Sequence, residues 1–287
     1  MSELLTEPEG VELRNYALIP YEPLADPSGR LRSLNLLHRS FDLVGVGARG
    51  RDLCEASAAE AGPSCTAYGV KWEGDRLAWE LYYYFHADRR RLGFDRVDRV
   101  LERGGFAGVA VPTDPARSWY SVSFDLDEAV LSDRAPVEGL HVYVTHHPAE
   151  PPMSISYAVR GEGFRLENVY RLFHPRRDRE AMDGQLGGSA ITGSERFRAE
   201  QVLWPDLLGG DHVALAHKPD RDGVYFGRVD VDAFAGFLRR TRAPGDLLAF
   251  VEEHRDALAH LGFDVGFDYR LTGGRVEVVK AGFYGSF

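Results

Sequence analysis

Lysine is almost absent from this chain of 287 residues, and cysteine is scarce. Of 34 basic residues only Lys71, Lys218 and Lys280 are lysine, and each lies within or at the end of a predicted strand. Chance could place three lysines in this way in a chain that is biased toward arginine. The alternative is that these positions need a compact ammonium where the larger planar guanidinium of arginine would not fit. Cys54 and Cys65 make neither a disulfide framework nor a zinc site, so we expect a reducing, cytoplasmic location.

Long apolar runs and an excess of positive charge are missing as well. No segment approaches the roughly 20 apolar residues that a membrane-spanning helix needs, and the acidic start MSELLTEPEGVE does not resemble a signal peptide. A net charge of -10 opposes binding to nucleic acid, because phosphate groups need a basic surface. We therefore expect a globular protein without a membrane or nucleic-acid partner, and its oligomeric state stays open.

Residues 65–85, CTAYGVKWEGDRLAWELYYYF, predict a β-hairpin because two alternating runs flank a turn at Gly74 and Asp75. One face of this hairpin is apolar. The other face carries a lysine, two carboxylates and two phenols, which are Lys71, Glu73, Glu80, Tyr82 and Tyr84. A sheet with one polar face can simply expose that face to water, so the pattern by itself leaves its purpose open.

The same alternation returns in four later pairs of runs. We predict strands at 119–125, 140–145, 153–160, 164–173, 213–218, 224–229, 263–271 and 275–283, and helices at 33–40, 52–61, 94–103, 177–182, 231–240 and 247–260. The predicted polar positions include Tyr143, Arg160, Arg171 and Tyr225. Residues 1–33 contain several prolines and predict an extended arm, which leaves 34–287 as a single domain.

Strands of this kind must cover their apolar faces with helices while their polar faces stay together. A closed barrel with helices outside and a polar lumen satisfies both demands. We therefore predict an α+β fold built on a closed, ten-stranded antiparallel β-barrel whose lumen is wide enough for a substrate.

The run GVGARG, from Gly45 to Gly50, matches the dinucleotide pattern G-x-G-x-x-G and precedes a predicted helix. Glu73 follows at about the expected distance, so one alternative is a nicotinamide-dependent oxidoreductase. A dinucleotide domain needs further β-α-β crossovers, and the chain after residue 64 supplies none. A glycine-rich turn between two helices is the favoured interpretation.

A metal site has little support in the sequence. Asp125 and Asp127, in the segment FDLD, invite a magnesium interpretation, although Asp127 precedes 129–131, where it would serve as a helix cap. The histidines show no metal-ligand spacing, and no nucleophile elbow or phosphate-binding loop is present. We therefore expect no required cofactor, with magnesium as an open alternative.

The layout from about residue 34 onward resembles the ABBA-type aromatic prenyltransferases, whose ten-stranded antiparallel barrels are sheathed in helices and reactive inside. Residues 65–85, SVSFDLDE with EGLHVYV, and the terminal RVEVVKAGFYGSF resemble strand segments of the bacterial peptide-modifying branch. The resemblance implies a natural-product enzyme that transfers an isoprenyl group from an allylic diphosphate, such as dimethylallyl diphosphate, to an aromatic small molecule or peptide side chain. It also implies diphosphate contacts at Lys71, Lys218, Lys280 and Tyr225, with Arg160 or Arg171 beside them.

Elementary chemistry makes the same demands of such an enzyme. Cations must stabilise the departing pyrophosphate. Aromatic faces must shield the carbocation, and Tyr82, Tyr84 and Tyr143 are predicted to line the lumen for this purpose. A base must take the acceptor's proton, for which Glu73 and Glu80 are the candidates, unless either simply pairs with Lys71. A non-catalytic barrel that binds a small molecule is the alternative, and convergence of the three lysines would separate the two, because a carrier needs no cluster of cations.

Overall fold

A computed structural model describes residues 4–7, 15–16, 20–62, 65–84, 94–106, 120–146, 152–160, 163–191 and 197–287. Its strands are β1 (Asn15–Tyr16), β2 (Pro20–Tyr21), β3 (Thr66–Glu73), β4 (Arg76–Tyr84), β5 (Ser121–Asp127), β6 (Leu140–His146), β7 (Met153–Arg160), β8 (Gly163–Phe173), β9 (His212–His217), β10 (Asp222–Val229), β11 (Phe263–Thr272) and β12 (Arg275–Ser286). Phe85 and much of the predicted arm lie outside the described residues.

The helices fall between these strands and before β3. They are α1 (Leu34–Leu43), α2 (Gly47–Glu60), α3 (Phe94–Arg103), α4 (Glu128–Leu131), α5 (Arg179–Gly187), α6 (Val231–Arg240), α7 (Gly245–Glu253) and α8 (Arg255–Leu258), with short 3-10 turns at Ala199–Gln201 and Pro205–Leu207. Within the described ranges, no helix combines the length and apolar character that crossing a bilayer requires.

Strands β3 to β12 form one closed antiparallel barrel in which each strand pairs with its neighbours along the chain. The barrel closes where β12 pairs with β3, with Gly282 opposite Lys71 and Phe283 opposite Val70. The predicted fold, a ten-stranded antiparallel barrel with helices outside, is therefore confirmed.

The hydrophobic core lies between the outer face of the barrel and the helices. The ring of Phe41 on α1 lies 4.9 Å from that of Trp79 on β4, and the ring of Phe234 on α6 stacks at 4.0 Å on Phe263. All of these side chains are buried, and burial of one such side chain contributes about 1.5–3 kcal/mol. Because side chains alternate along a strand, this packing turns the polar positions of β3 and β4 toward the lumen.

The run GVGARG does not form a dinucleotide fingerprint. It follows helix α1, which extends to Leu43, and Gly47 to Gly50 open helix α2. A Cβ on Gly50 would lie 2.4 Å from a ring carbon of Phe41, so this glycine permits close packing between two helices. The dinucleotide fingerprint on which the oxidoreductase alternative rests is therefore wrong, because a helix rather than a strand precedes the glycines.

Candidate functional site

Five tyrosines form a closed belt around the lumen, and we call them the tyrosine belt. In order around the barrel they are Tyr82, Tyr143, Tyr170, Tyr225 and Tyr284, and successive ring centroids lie 6.2, 6.5, 6.1, 6.1 and 5.9 Å apart. Tyr84 and Tyr120 extend the belt, since Tyr84 stacks on Tyr82 and Tyr120 contacts Tyr143. Aromatic faces thus line the lumen on every side at this level.

Glycines on neighbouring strands make room for two rings of the belt. Gly266 is the partner of Tyr225 across β10 and β11, and a Cβ there would lie 2.2 Å from the Tyr225 ring. Gly69 is the partner of Tyr284 across β3 and β12, and a Cβ there would lie 2.9 Å from that ring. Both tyrosines therefore lie across the adjacent strand, which requires a residue without a side chain at that position.

Cations gather on one side of the belt around Asp268 of β11, and we call this group the Asp268 cluster. The Lys218 ammonium donates to Asp268 Oδ1 over 2.6 Å and to the Tyr225 hydroxyl over 3.1 Å. Lys280 Nζ lies 3.5 Å and Arg221 Nε lies 3.9 Å from Asp268 Oδ2. This oxygen is buried, yet within the described part of the chain it accepts no hydrogen bond. Arg221 Nε lies closer still, at 3.3 Å, to Asp220 Oδ1. Three cations thus face the carboxylates of Asp268 and Asp220, and the cluster carries excess positive charge.

The electrostatics of the Asp268 cluster follow from burial and charge. Burial lowers the pKa of Lys218 to about 8, because the opposing effect of Asp268 is too small to restore the ordinary value and Lys280 lowers it further. Burial also disfavours the charged form of Asp268, but Lys218 and Lys280 outweigh it and lower the pKa of this carboxyl to about 2. An anion that enters beside Asp268 would raise the pKa of Lys218 and keep it charged.

A second group of polar side chains surrounds Glu80 of β4, and we call it the Glu80 cluster. The Glu80 carboxylate accepts hydrogen bonds from Lys71 and Ser123, from the Tyr82 hydroxyl at 2.5 Å and from the Tyr143 hydroxyl at 3.0 Å. Burial is the largest influence and opposes its charge, but Lys71 and His141 together outweigh burial, so the pKa of Glu80 is lowered. Two belt tyrosines thus aim their hydroxyls at one buried carboxylate.

The Glu80 cluster continues along the wall of the barrel. Lys71 Nζ also donates to Asp125 Oδ1 over 2.8 Å, and His141 Nε2 lies 3.0 Å from Asp125 Oδ2. His141 Nδ1 lies 2.6 Å from Glu167 Oε2, and Arg165 donates to the other oxygen of Glu167 over 3.1 Å. Burial lowers the pKa of His141, but its hydrogen bonds to the two carboxylates outweigh burial and raise the pKa to about 10.

The structure brings most predicted site residues into the lumen, in two groups rather than one. Lys218, Lys280 and Tyr225 meet at Asp268. Lys71 instead lies with the carboxylates of Glu80 and Asp125. Two of the three lysines therefore converge on one point, while the third balances carboxylates.

Glu73 and Arg160 lie away from both clusters. Glu73 ends β3 at the hairpin turn, where its half-exposed carboxylate lies 3.4 Å from Arg76. Arg160 ends β7, is 64% exposed, and donates to Glu138 over 2.7 Å. Both residues belong to the rim of the barrel because their strands end there.

Arg171 faces away from the lumen because of a β-bulge. Ser156 pairs with Asn168 and Tyr157 with Leu166, which leaves Glu167 as the extra residue of β8. The alternation therefore slips by one position, so Tyr170 joins the belt and Arg171 lies on the opposite face, beside buried Leu215 of β9. The diphosphate contact expected at Arg171 does not fit this placement.

Sequence reasoning missed several lumen residues. They are Asp268, Arg221, Tyr170, Tyr284, His141 and Glu167. Asp268 and His141 occupy polar positions of predicted strands, so the alternation could have identified both as lumen residues. Tyr170 had no such signal, because the bulge at Glu167 reverses its face.

The aspartates of FDLD do not fit a magnesium ion. Asp125 already binds Lys71 through one oxygen and His141 through the other. Asp127 caps α4 by accepting from the Val130 amide over 2.8 Å, as the capping interpretation predicted. Among the residues described, no group of three histidine, cysteine or acidic side chains is arranged to hold a metal.

The closed barrel of ten antiparallel strands with helices outside is the ABBA or prenyltransferase-barrel fold. Among solved structures, the chain is similar to the crystal structure of the prenyltransferase PriB in its apo form, with a TM-score of 0.52 and 12% sequence identity. That likeness covers 88% of this chain and 94% of the PriB chain, and at this identity it shows the fold alone. No family model and no curated protein matches the sequence.

Proposed function

We propose that this chain is a prenyltransferase that moves an isoprenyl group from an allylic diphosphate, such as dimethylallyl diphosphate, to an aromatic small molecule or peptide side chain. One observation carries the proposal: the tyrosine belt links a cationic cluster to a buried carboxylate. The Tyr225 hydroxyl lies 3.1 Å from Asp268, while those of Tyr82 and Tyr143 donate to Glu80. The fold shared with PriB supports the same class of reaction.

The Asp268 cluster is suited to the departing diphosphate. When the allylic carbon–oxygen bond breaks, the electron pair leaves with the pyrophosphate, whose growing negative charge needs fixed cations nearby. Lys218, Lys280 and Arg221 supply three positive charges, and the Tyr225 hydroxyl, which donates to Asp268, supplies a further donor. In the free protein, Asp268 keeps these groups together. When the substrate binds, its diphosphate carries more negative charge than one carboxylate and takes over their interactions.

The tyrosine belt is suited to the allylic cation that the same step creates. Each aromatic face attracts a cation with an energy of order 1 kcal/mol, and more where water is excluded. Burial raises the pKa of Tyr82, Tyr143, Tyr170 and Tyr225 well above the ordinary value. These side chains therefore stay neutral phenols, which are poorer nucleophiles than phenolates and leave the cation for the acceptor.

Glu80 is the proposed acceptor of the final proton. The acceptor's π electrons form the new bond to the allylic carbon, which leaves a cationic adduct that is a very strong acid. A carboxylate can remove its proton even when its own pKa is lowered, as that of Glu80 is. The products are the prenylated acceptor, pyrophosphate and a proton on Glu80.

The test is a turnover assay with dimethylallyl and geranyl diphosphates against indoles, phenols and peptides that contain tyrosine or tryptophan. Products are identified by mass spectrometry and pyrophosphate is quantified, with magnesium or with EDTA. Arg76→Ala is the matched control variant, since Arg76 is an 81% exposed cation at the rim of the same barrel. Binding of pyrophosphate without turnover of any acceptor would favour the non-catalytic carrier, and absence of both would refute the proposal.

A further inference from the structure

Two further aromatic rings lie below the tyrosine belt, on the side away from the charged clusters. Glu80 and Tyr84 lie on the same face of β4, two positions to either side of Tyr82. The rings of Tyr84 and Tyr82 stack with 6.4 Å between their centroids. Tyr120 in turn stacks on Tyr84 at 6.4 Å. We call Tyr84 and Tyr120 the tyrosine floor.

The tyrosine floor reaches toward the walls of the barrel that face β4. The Tyr120 hydroxyl lies 2.7 Å from that of Ser154 on β7. Burial is the main cause that raises the pKa of Tyr84 well above its ordinary value, and the nearby Asp264 carboxylate on β11 raises it further. The two rings therefore extend from β4 toward both β7 and β11, across the lower end of the lumen.

The lumen is filled at the level of the tyrosine floor. Four of the five belt tyrosines are half-buried, whereas their strand partners at the foot of the belt are buried. These partners share the lumen face with the tyrosines, and the buried ones are Ala67, Ser121, Ala214 and Asp264. Because three of them are small, their burial means that other atoms occupy the space in front of them.

The depth of the lumen above the tyrosine floor matches one isoprene unit. Asp268, at the proposed diphosphate site, lies four residues from Asp264 on β11. At about 3.4 Å per residue, on a strand tilted by about 40°, this is about 10 Å along the barrel axis. Contact with the floor rings takes about 4 Å of that depth. An isoprene unit extends about 5 Å at ordinary carbon–carbon bond lengths, so one unit fits and a second does not.

We infer that the tyrosine floor restricts the donor to a single isoprene unit, with Tyr84 as the specificity-determining residue. The inference rests on the proposed function, because it concerns the donor of that reaction. The first unit ends among the belt rings, where the allylic cation forms. A second unit needs the space of the Tyr84 ring and would meet the Asp264 carboxylate, and an apolar chain against a buried charge is unfavourable.

The experiment compares donors of two lengths. Calorimetry with dimethylallyl and geranyl thiodiphosphates gives Kd, and steady-state assays with the two diphosphates and one acceptor give kcat/KM. The wild type should favour the shorter donor by about tenfold or more in both, the scale of overpacking a filled site. Tyr84→Ala opens the floor and should bring the two donors to within about threefold of each other. Tyr84→Phe keeps the ring and should keep the wild-type preference.

Two leucine variants separate the floor from a general loosening of the barrel. Tyr84→Leu removes less volume than Tyr84→Ala, so it gives the answer if the alanine variant does not fold, and circular dichroism checks the folding of each. Tyr83→Leu is the matched control, because Tyr83 is buried on the opposite face of the same strand, where its hydroxyl contacts that of Ser57. This variant should keep the preference for the shorter donor.

The outcomes distinguish the floor from the proposed function. A wild type that binds and converts the geranyl donor as well as the dimethylallyl donor would overturn the role of the floor and leave the proposed function intact. An unchanged preference in a folded Tyr84→Ala or Tyr84→Leu variant, or an equal shift in Tyr83→Leu, would overturn it too. Failure to convert either donor with any acceptor would overturn the proposed function, while the Kd values of the thiodiphosphates would still test the floor.

Discussion

Lys218 and Asp268 form a buried ion pair over the intervening strand β10, with 2.6 Å between the ammonium and Oδ1, although 50 positions separate them in the chain. Their side chains are only 10% and 1% exposed. Burial of two charges costs several kcal/mol, so such a pair is weak evidence for stability alone. Because Lys280 and Arg221 face the other oxygen, we interpret Asp268 as an internal anion that keeps the proposed diphosphate site assembled.

Removal of either clustered lysine should weaken anion binding. We expect Lys218→Ala and Lys280→Ala to raise the Kd for pyrophosphate by about 10- to 100-fold, the loss of one charge-assisted hydrogen bond. Lys218→Arg should not restore affinity, since the planar guanidinium does not fit a point-charge site. Calorimetry with pyrophosphate and dimethylallyl thiodiphosphate measures these changes.

Lys71→Met serves as the comparison and should change Kd much less, because Lys71 binds Glu80 and Asp125. Equal losses in all three variants would place Lys71 in the diphosphate site after all.

Pyrophosphate affinity should fall in alkaline solution. Burial lowers the pKa of Lys218 to about 8, so below this pH the free protein already carries the charge that the anion needs. Above pH 8 the protein must take up a proton to bind, and the apparent affinity should drop by up to about tenfold per pH unit. Calorimetry between pH 6.5 and 9.5 checks the profile. Lys218→Met is the control, because in this variant only the protonation of pyrophosphate itself changes the affinity with pH. If the affinity of the wild type changed with pH in parallel with that of the variant, the prediction would be wrong.

The two glutamates of the first hairpin should behave differently. Glu80→Gln keeps the shape of the side chain but removes the base, so turnover should drop by about 10²- to 10⁴-fold while pyrophosphate binding persists. Glu73→Gln should keep wild-type turnover, because its carboxylate lies at the rim beside Arg76. Steady-state kinetics and calorimetry on both variants test this. Full activity in Glu80→Gln would show that another residue accepts the proton.

Gly266→Ala should destabilise the barrel. Its new Cβ would lie 2.2 Å from the Tyr225 ring, which must move out of the belt. Overpacking of this kind costs about 1–3 kcal/mol. Urea unfolding measures the change in the free energy of unfolding. Gly184→Ala is the control, since a Cβ at this helical glycine meets nothing within 4 Å and should be neutral or stabilising.

Local alternation was enough to predict the barrel and most of the residues that line it. Tyr82, Glu80 and Lys71 face the lumen because every second side chain of a strand points the same way. The same rule fails at a bulge, which the sequence does not announce. At Glu167 one extra residue reverses the phase, so Arg171 leaves the lumen and Tyr170 enters it.

Which lumen residues meet was decided only by the tertiary structure. Period-two alternation in the sequence determined that Asp268 lies on a polar strand face. For Lys218 and Lys280 the sequence indicated only a place within or at the end of a strand, and a bulge at Val279 sets the face on which Lys280 lies. Their meeting at one point depends on the pairing of β9 with β10, β10 with β11 and β11 with β12. In the same way, Lys71 of β3 contacts Asp125 of β5, 54 positions away, because both strands pair with β4. Such contacts follow from strand register and closure of the sheet, and these depend on hydrogen bonds between distant segments.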